Sequence, residues 1–170
     1  MISRELSCCF TGHRPDKLPW GSCENDDRCK ALKKEISLCA EELYNKGCRH
    51  FISGMAAGCD MYFAEVISEL KTLHPDITLE AAVPCRNQAR LWSRSMQEKY
   101  NALLKKCDIC SILQEEYTSS CMALRNRYMI NNSSHIIACF DGTYGGTMQT
   151  ILQAKREGLD VITIDINKYK

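Results

Sequence analysis

The sequence predicts an α/β fold of the Rossmann-like kind, a three-layer sandwich in which a mainly parallel sheet of roughly six strands carries helices on both faces. Short apolar runs alternate with helix-length polar segments, the order produced when crossover helices join parallel strands. Three of the runs empty into small-residue turns immediately before a helical pattern, the grammar of a ligand-binding sheet edge. The 170 residues, 45% of them hydrophobic, suffice for one core, so a single domain over 1–170 is expected.

The first strand is expected at 6–10, followed by the turn Thr11-Gly12-His13-Arg14-Pro15. Over 28–45, Ala31, Ile36, Leu38, Cys39, Leu43 and Tyr44 recur at three- and four-residue spacing as on an amphipathic helix, which Lys46-Gly47 closes. A second strand at His50–Ser53 runs through Gly54 to Gly58 into a helix from residue 59 or 60 to about 71, and Pro75 marks the break before a strand at Thr78–Val83. A polar helix over 89–106 would turn Leu91, Met96, Leu103 and Leu104 inward. Strands at 108–113, His135–Phe140 and 161–166, with helices at 122–132 and 147–157, complete the series, Gly158 stopping the last helix. Right-handed crossovers bring the turns after residues 10, 53, 83, 113 and 140 to one edge of the sheet, where open sheets bind ligands.

Composition narrows the partners. Lys and Arg number 22 against 21 Asp and Glu, and the net charge of +1 gives no long-range reason for a nucleic acid or an anionic membrane. No run approaches the ~18 apolar residues of a membrane span and no signal-like stretch opens the chain, so a cytoplasmic protein is expected. Twelve cysteines then read as reduced thiols. Cys8, Cys9, Cys110 and Cys139 serve as small hydrophobes inside strands, while Cys23, Cys29 and Cys48 are read as tolerated surface thiols. Cys107 and Cys110 form a C-x-x-C, but strand residues three apart face opposite ways and do not share a metal. His50, His74 and His135 lack ligand partners at metal spacing, so no metal is expected.

The candidate binding residues lie in the three turns. Thr11, Gly12, His13 and Arg14 offer a hydroxyl, a tight turn, an imidazole and a guanidinium; the alternative for Arg14 is a surface pair with Asp26 or Asp27. The spacing is not G-x-G-x-x-G, which argues against a nicotinamide enzyme, and no cofactor is expected. Ser53, Gly54, Met55, Ala56 and Gly58 would let a ligand lie against backbone, and Asp60 and Glu65 follow on the helix; Asp60 either caps that helix or accepts from a sugar hydroxyl. Asp141, Gly142, Thr143, Gly145, Gly146 and Thr147 lead into the last helix, whose amides and dipole suit a phosphate. Of Arg125 and Arg127, two apart on a helix, only one reaches the site. Trp92 either stacks on a base or anchors packing.

Ser53-Gly54-Met55-Ala56-Ala57-Gly58-Cys59-Asp60 resembles the S-G-x-A-x-G-x-D turn of the DNA-processing protein DprA, and the 141–147 turn resembles the glycine-rich loop of the Lonely Guy enzymes, both of the SLOG superfamily of Rossmann-like domains. Thr11 to Pro15 with Trp20, Trp92 and Tyr100 makes the chain resemble the YpsA-like branch over nearly its whole length. The resemblance implies binding, and in some members hydrolysis, of nucleotide-derived ligands. Met122, Arg125 and Met129 match the M-x-x-R-x-x-x-M segment of the Lonely Guy enzymes, but the glutamate of P-G-G-x-G-T-x-x-E falls on Thr150, with Gln149 beside it, and its proline on Gly142. A threonine does not stabilise the positive charge that develops on the ribose as its leaving group departs. The expectation is therefore a sensing or regulatory domain for a nucleotide-derived small molecule. The alternatives are a nucleoside-monophosphate N-glycosidase with Arg125, Asp60 and Glu65 as catalytic candidates, and a protein-interaction module, with homo-oligomerisation open.

Overall fold

A computed structural model describes residues 2–170. The apolar runs become β1 (Ser7–Gly12), β2 (His50–Ser53), β3 (Thr78–Val83), β4 (Ile109–Ile112), β5 (His135–Phe140) and β6 (Asp160–Asp165). They form one sheet in the order β4-β3-β2-β1-β5-β6, every adjacent pair parallel. Chain order runs outward from β1 through β2, β3 and β4, then restarts on the other side with β5 and β6. The topological switch point therefore lies between β1 and β5, where Gly12 is in register with Cys139.

The helices are α1 (Asp27–Asn45), α2 (Cys59–Leu73), α3 (Arg94–Lys106), α4 (Cys121–Asn131) and α5 (Gly146–Arg156). Alternation along the strands sorts the core into two layers. Cys8 and Phe10 of β1 pack with Phe51, Leu32 and Ile36 of α1, and Phe63 and Ile67 of α2 on one face. Cys9 and Ile136 pack with Met129 and Ile130 of α4 and Ala154 of α5 on the other. A third cluster joins α2 to α3 through Met61, Tyr100 and Leu103 over Ala81 and Val83. Among the described residues no helix is long and apolar enough to cross a membrane.

Several sequence expectations are corrected. The helix foreseen over 89–106 starts at Arg94, because the Ser93 hydroxyl caps it by accepting from the Met96 amide, and the chain before it is bent into turns. Leu91 is thus outside the helix and 89% exposed rather than inward-facing. Trp92 meets Tyr100 edge-on at 5.3 Å between centroids, which is a packing role. On α1 the buried stripe is Cys29, Leu32, Ile36, Ala40 and Leu43, and Leu38 points outward. All twelve cysteines are free thiols, but Cys29 and Cys48 are buried rather than superficial, and Cys110 on edge strand β4 is exposed rather than packed.

Candidate functional site

At the switch point the ends of β1 and β5 part, and a cleft of about 200 Å³ opens between the β1 turn, the start of α2, and the inner faces of α4 and α5. Of the residues singled out in the sequence, Thr11, Gly12, His13, Arg14, Ala56, Asp60, Arg125, Gly146 and Thr147 line it together. The 3₁₀ turn Pro15–Lys17 adds Asp16 and Lys17, α4 adds Asn126 and Met129, and α5 adds Thr150. Lys17 was missed because it lies beyond Pro15, where the sequence shows only a polar loop. Its proximity to Arg14 on a proline-initiated turn was the available signal.

The floor of the cleft is built by the second turn. Arg125 is 5% exposed, and its Nη1 donates to the Gly54 carbonyl oxygen at 2.5 Å while Nε donates to Asn126 Oδ1 at 2.7 Å. A Cβ on Gly54 would stand 2.4 Å from Arg125 Nη1, so the glycine is what lets the guanidinium lie against the backbone. Gly58, at φ +91°, sits so close to the β1 turn that a Cβ would be 2.8 Å from the His13 carbonyl oxygen, to which the Cys59 amide donates. Between them Met55 holds a positive φ of 56°, fixed by its amide donating to Ser53 Oγ and its carbonyl accepting from Gln88 Nε2. Ser53, Gly54, Met55 and Gly58 thus support the cleft from behind instead of lining it.

Asp60 is buried, accepts from the Ala56 amide at Oδ2, and does not cap α2, whose N-cap is Gly58. Burial raises its carboxyl above the ordinary range, opposed by the nearby charge of Arg125. Glu65 is corrected: it points away from the cleft and binds Lys33 at 3.0 Å on the outer side of α1 and α2. Arg127 is exposed, as the spacing required. Arg14 pairs with neither Asp26, which caps α1 and holds Arg28, nor Asp27, whose ion pair is with Lys30.

The third turn is pinned through Asp141. Its Oδ1 accepts from His13 Nε2 at 2.7 Å and from the amide and hydroxyl of Thr143 at 2.9 and 2.6 Å. Burial alone would raise its carboxyl, but the bonds from Thr143 and His13 hold it far below the carboxylate range. Gly145 gives α5 no side-chain cap, and a Cβ on Gly146 would meet nothing within 4 Å, so the first turn of α5 opens onto the cleft. Thr150, at the position of the Lonely Guy glutamate, donates its hydroxyl to the Gly146 carbonyl oxygen and accepts from Asn126 Nδ2.

Three cations, Arg14, Lys17 and Arg125, border this helix start. None of them takes part in an ion pair among the described residues. Lys17 Nζ reaches only the Tyr144 carbonyl oxygen at 3.4 Å, and Arg14 Nη2 only Met122 Sδ at 3.9 Å.

The model of the YspA SLOG family matches residues 8–167. The chain is 30% identical over 138 residues to the SPbeta prophage-derived protein YoqJ of Bacillus subtilis, covering 74% of this chain and 81% of that one. It is 27% identical over 154 residues to a UPF0398 protein of Bacillus thuringiensis, covering 86% and 80%. Among solved structures it resembles DNA processing protein A of Helicobacter pylori, with a TM-score of 0.61 at 16% identity over 98% of this chain and 71% of that one. DprA of Streptococcus pneumoniae gives a TM-score of 0.60 at 17% identity over 92% of this chain, which spans 49% of that protein.

Proposed function

Since the chain belongs to the YspA SLOG family, we propose that its cleft binds a phosphate-bearing, nucleotide-derived small molecule, and that the protein acts as a sensing or regulatory domain. The observation that carries this reading is the convergence of Arg14 and Lys17, which have no carboxylate partner among the described residues, with the buried Arg125 on the uncapped start of α5. Cations left unpaired around a helix N-terminus are a poor arrangement for stability and a good one for an anion. The cleft of about 200 Å³ is smaller than the ~300 Å³ of small ligand pockets, and it suits a phosphate with its sugar while a base lies at the mouth. Asp60, which lines the cleft, would accept from a sugar hydroxyl, and the exposed ring of Tyr144, on the loop into α5, would offer a surface for the base.

Binding is favoured over cleavage because, of the acids weighed for catalysis, only Asp60 faces the cleft. Thr150 carries no charge, Asp141 is committed to His13 and Thr143, and Glu65 lies outside the cleft. Calorimetry with AMP, ADP-ribose and sulfate tests the reading. Saturable binding of a nucleotide, weakened about tenfold or more by Arg14→Ala, supports it, since charge-assisted hydrogen bonds contribute ~1.5–3 kcal/mol. No binding by any of the three sinks it. Release of free base or ribose 5-phosphate from AMP, abolished by Arg125→Ala, would instead favour a hydrolase.

A second reading comes from the Helicobacter pylori neighbour, which is described by its single-stranded DNA binding mode. It weakens the expectation, drawn from the +1 charge, that nucleic acid is not a partner. Fluorescence anisotropy with a short oligonucleotide lacking a terminal phosphate separates the two, because only the DNA reading expects that probe to bind with a steep salt dependence.

A further inference from the structure

His13 links two elements that meet only at the switch point. Its Nε2 is 2.7 Å from Asp141 Oδ1 at the end of β5, and its Nδ1 is 3.3 Å from Thr147 Oγ1 on the first turn of α5. The imidazole is 3% exposed, and the Asp141 amide, 3.2 Å from Nε2, completes its polar surroundings. Two roles compete at Nε2: a lone pair there would accept from the Asp141 amide at 3.2 Å but would face the carboxylate oxygen at 2.7 Å, and the shorter, charged contact decides for a hydrogen on Nε2 that is donated to Asp141. In the neutral imidazole Nδ1 is then an acceptor, and the hydroxyl proton of Thr147 is turned toward it, away from the cleft.

That orientation is wrong for an anion. The α5 start offers amides and dipole, but the Thr147 oxygen would present lone pairs to a phosphate or sulfate oxygen. A proton on Nδ1 reverses this: Nδ1–H donates to Thr147 Oγ1, and the freed O–H donates to the anion. The chain then runs from Asp141 through the imidazolium and Thr147 to the ligand, each donor facing an acceptor.

Resting on the anion-binding reading above, we propose that the cleft takes up a dianion of the phosphate-monoester class together with one proton, His13 being the acceptor and Thr147 the hydroxyl that transmits the change to the ligand. The charged groups that bear on His13 are Asp141 at the end of β5, Arg14, Asp16 and Lys17 on the turn that follows it, Asp60 on α2 and Arg125 on α4. The acids oppose the three cations, and the nearest of them is Asp141, whose Oδ1 stands 2.7 Å from Nε2. A group that gains a proton on binding supports affinity at low pH and ceases to do so as pH rises through its bound-state titration. A monoester dianion balances more of this positive charge than the single charge of a diester, so the step also selects terminal phosphates over internal ones.

The test uses sulfate, whose charge does not change in this range, so that any proton taken up belongs to the protein. Calorimetry of sulfate binding to the full chain is run in buffers of different ionisation enthalpy from pH 6 to 8.5, alongside NMR of the His13 ring nitrogens. The expected result is net proton uptake on sulfate binding, with affinity falling by up to about tenfold per pH unit where that uptake occurs, and an Nδ1 resonance that becomes protonated on binding. Thr147→Val should weaken sulfate binding and reduce the uptake while His13 stays in place. Sulfate or AMP binding without proton uptake overturns the proton step and leaves the anion-binding reading intact. Undiminished uptake in Thr147→Val overturns the role of the hydroxyl. Absence of binding by sulfate and AMP alike overturns both.

Discussion

Two histidine–carboxylate pairs stand toward opposite ends of the same sheet. His50 of β2 meets Glu80 of β3 at 2.6 Å, and His13 after β1 meets Asp141 after β5 at 2.7 Å. Around the first, every oxygen is answered: Glu80 Oε1 accepts from Ser111 and Tyr128, and His50 Nδ1 faces Ser7 Oγ, whose hydroxyl also bonds the Ser3 carbonyl oxygen. No cleft-lining residue belongs to it. Around the second, the chain of polar groups ends at Thr147 and the open first turn of α5, beside unpaired cations. The same dyad is a closed structural joint at one end and an unfinished network at the other.

The largest expected effect breaks the closed joint. Glu80→Ala leaves His50, Ser111 and Tyr128 facing a void, and loss of one partner from a buried pair costs on the order of 3–5 kcal/mol, read as a fall in urea midpoint, with anion affinity of the folded fraction unchanged. Next, Gly54→Ala pushes the Arg125 guanidinium off its backbone seat. It should cost about 1–3 kcal/mol by overpacking and, unlike Glu80→Ala, also weaken sulfate binding in calorimetry.

Tyr144→Ala sharpens the open end: with the ring exposed, stability should move little, while AMP affinity falls by the ~1–3 kcal/mol of a lost base stack and sulfate affinity stays put. Acid tests both ends together. Bonds to His13 and Thr143 at one end, and to His50, Tyr128 and Ser111 at the other, hold Asp141 and Glu80 below ordinary carboxyl values against the opposing effect of burial. Their contribution to stability is therefore present above the unfolded carboxyl pKa of about 4 and is lost as pH falls through and below it; in Asp141→Asn the unfolding free energy should depend less on pH in that range. Smallest of all, Glu65→Gln should leave sulfate binding unchanged and alter stability by no more than ~1 kcal/mol, because its ion pair with Lys33 is partly exposed.

Much of the site was legible because turns advertise themselves. The glycine-punctuated ends of β1, β2 and β5 located the edge where the cleft opens, and the two-residue spacing of Arg125 and Arg127 required that only one face the cleft. Roles within the turns were less legible. Asp60 and Glu65 look alike on a helix in one dimension, yet five residues of helical rotation send the first to the cleft and the second to Lys33. Gly54 reads as a surface on which a ligand could lie, but the group lying there is the chain's own Arg125. Asp141 reads as a free acid, and Thr143 and His13 consume it.

By itself the sequence determined the α/β architecture, the order of the strands along the chain and the edge at which small turns gather, because hydrophobic periodicity and turn chemistry are local properties. Which turns share a wall was decided only by the tertiary structure. The order β4-β3-β2-β1-β5-β6 puts residue 13 against residue 141 and residue 125 against residue 54, and contacts across such separations depend on how strands pair. The charge balance of +1 hid the candidate site for the same reason: a net count cannot show that three cations of α4 and the β1 turn gather beside one helix start.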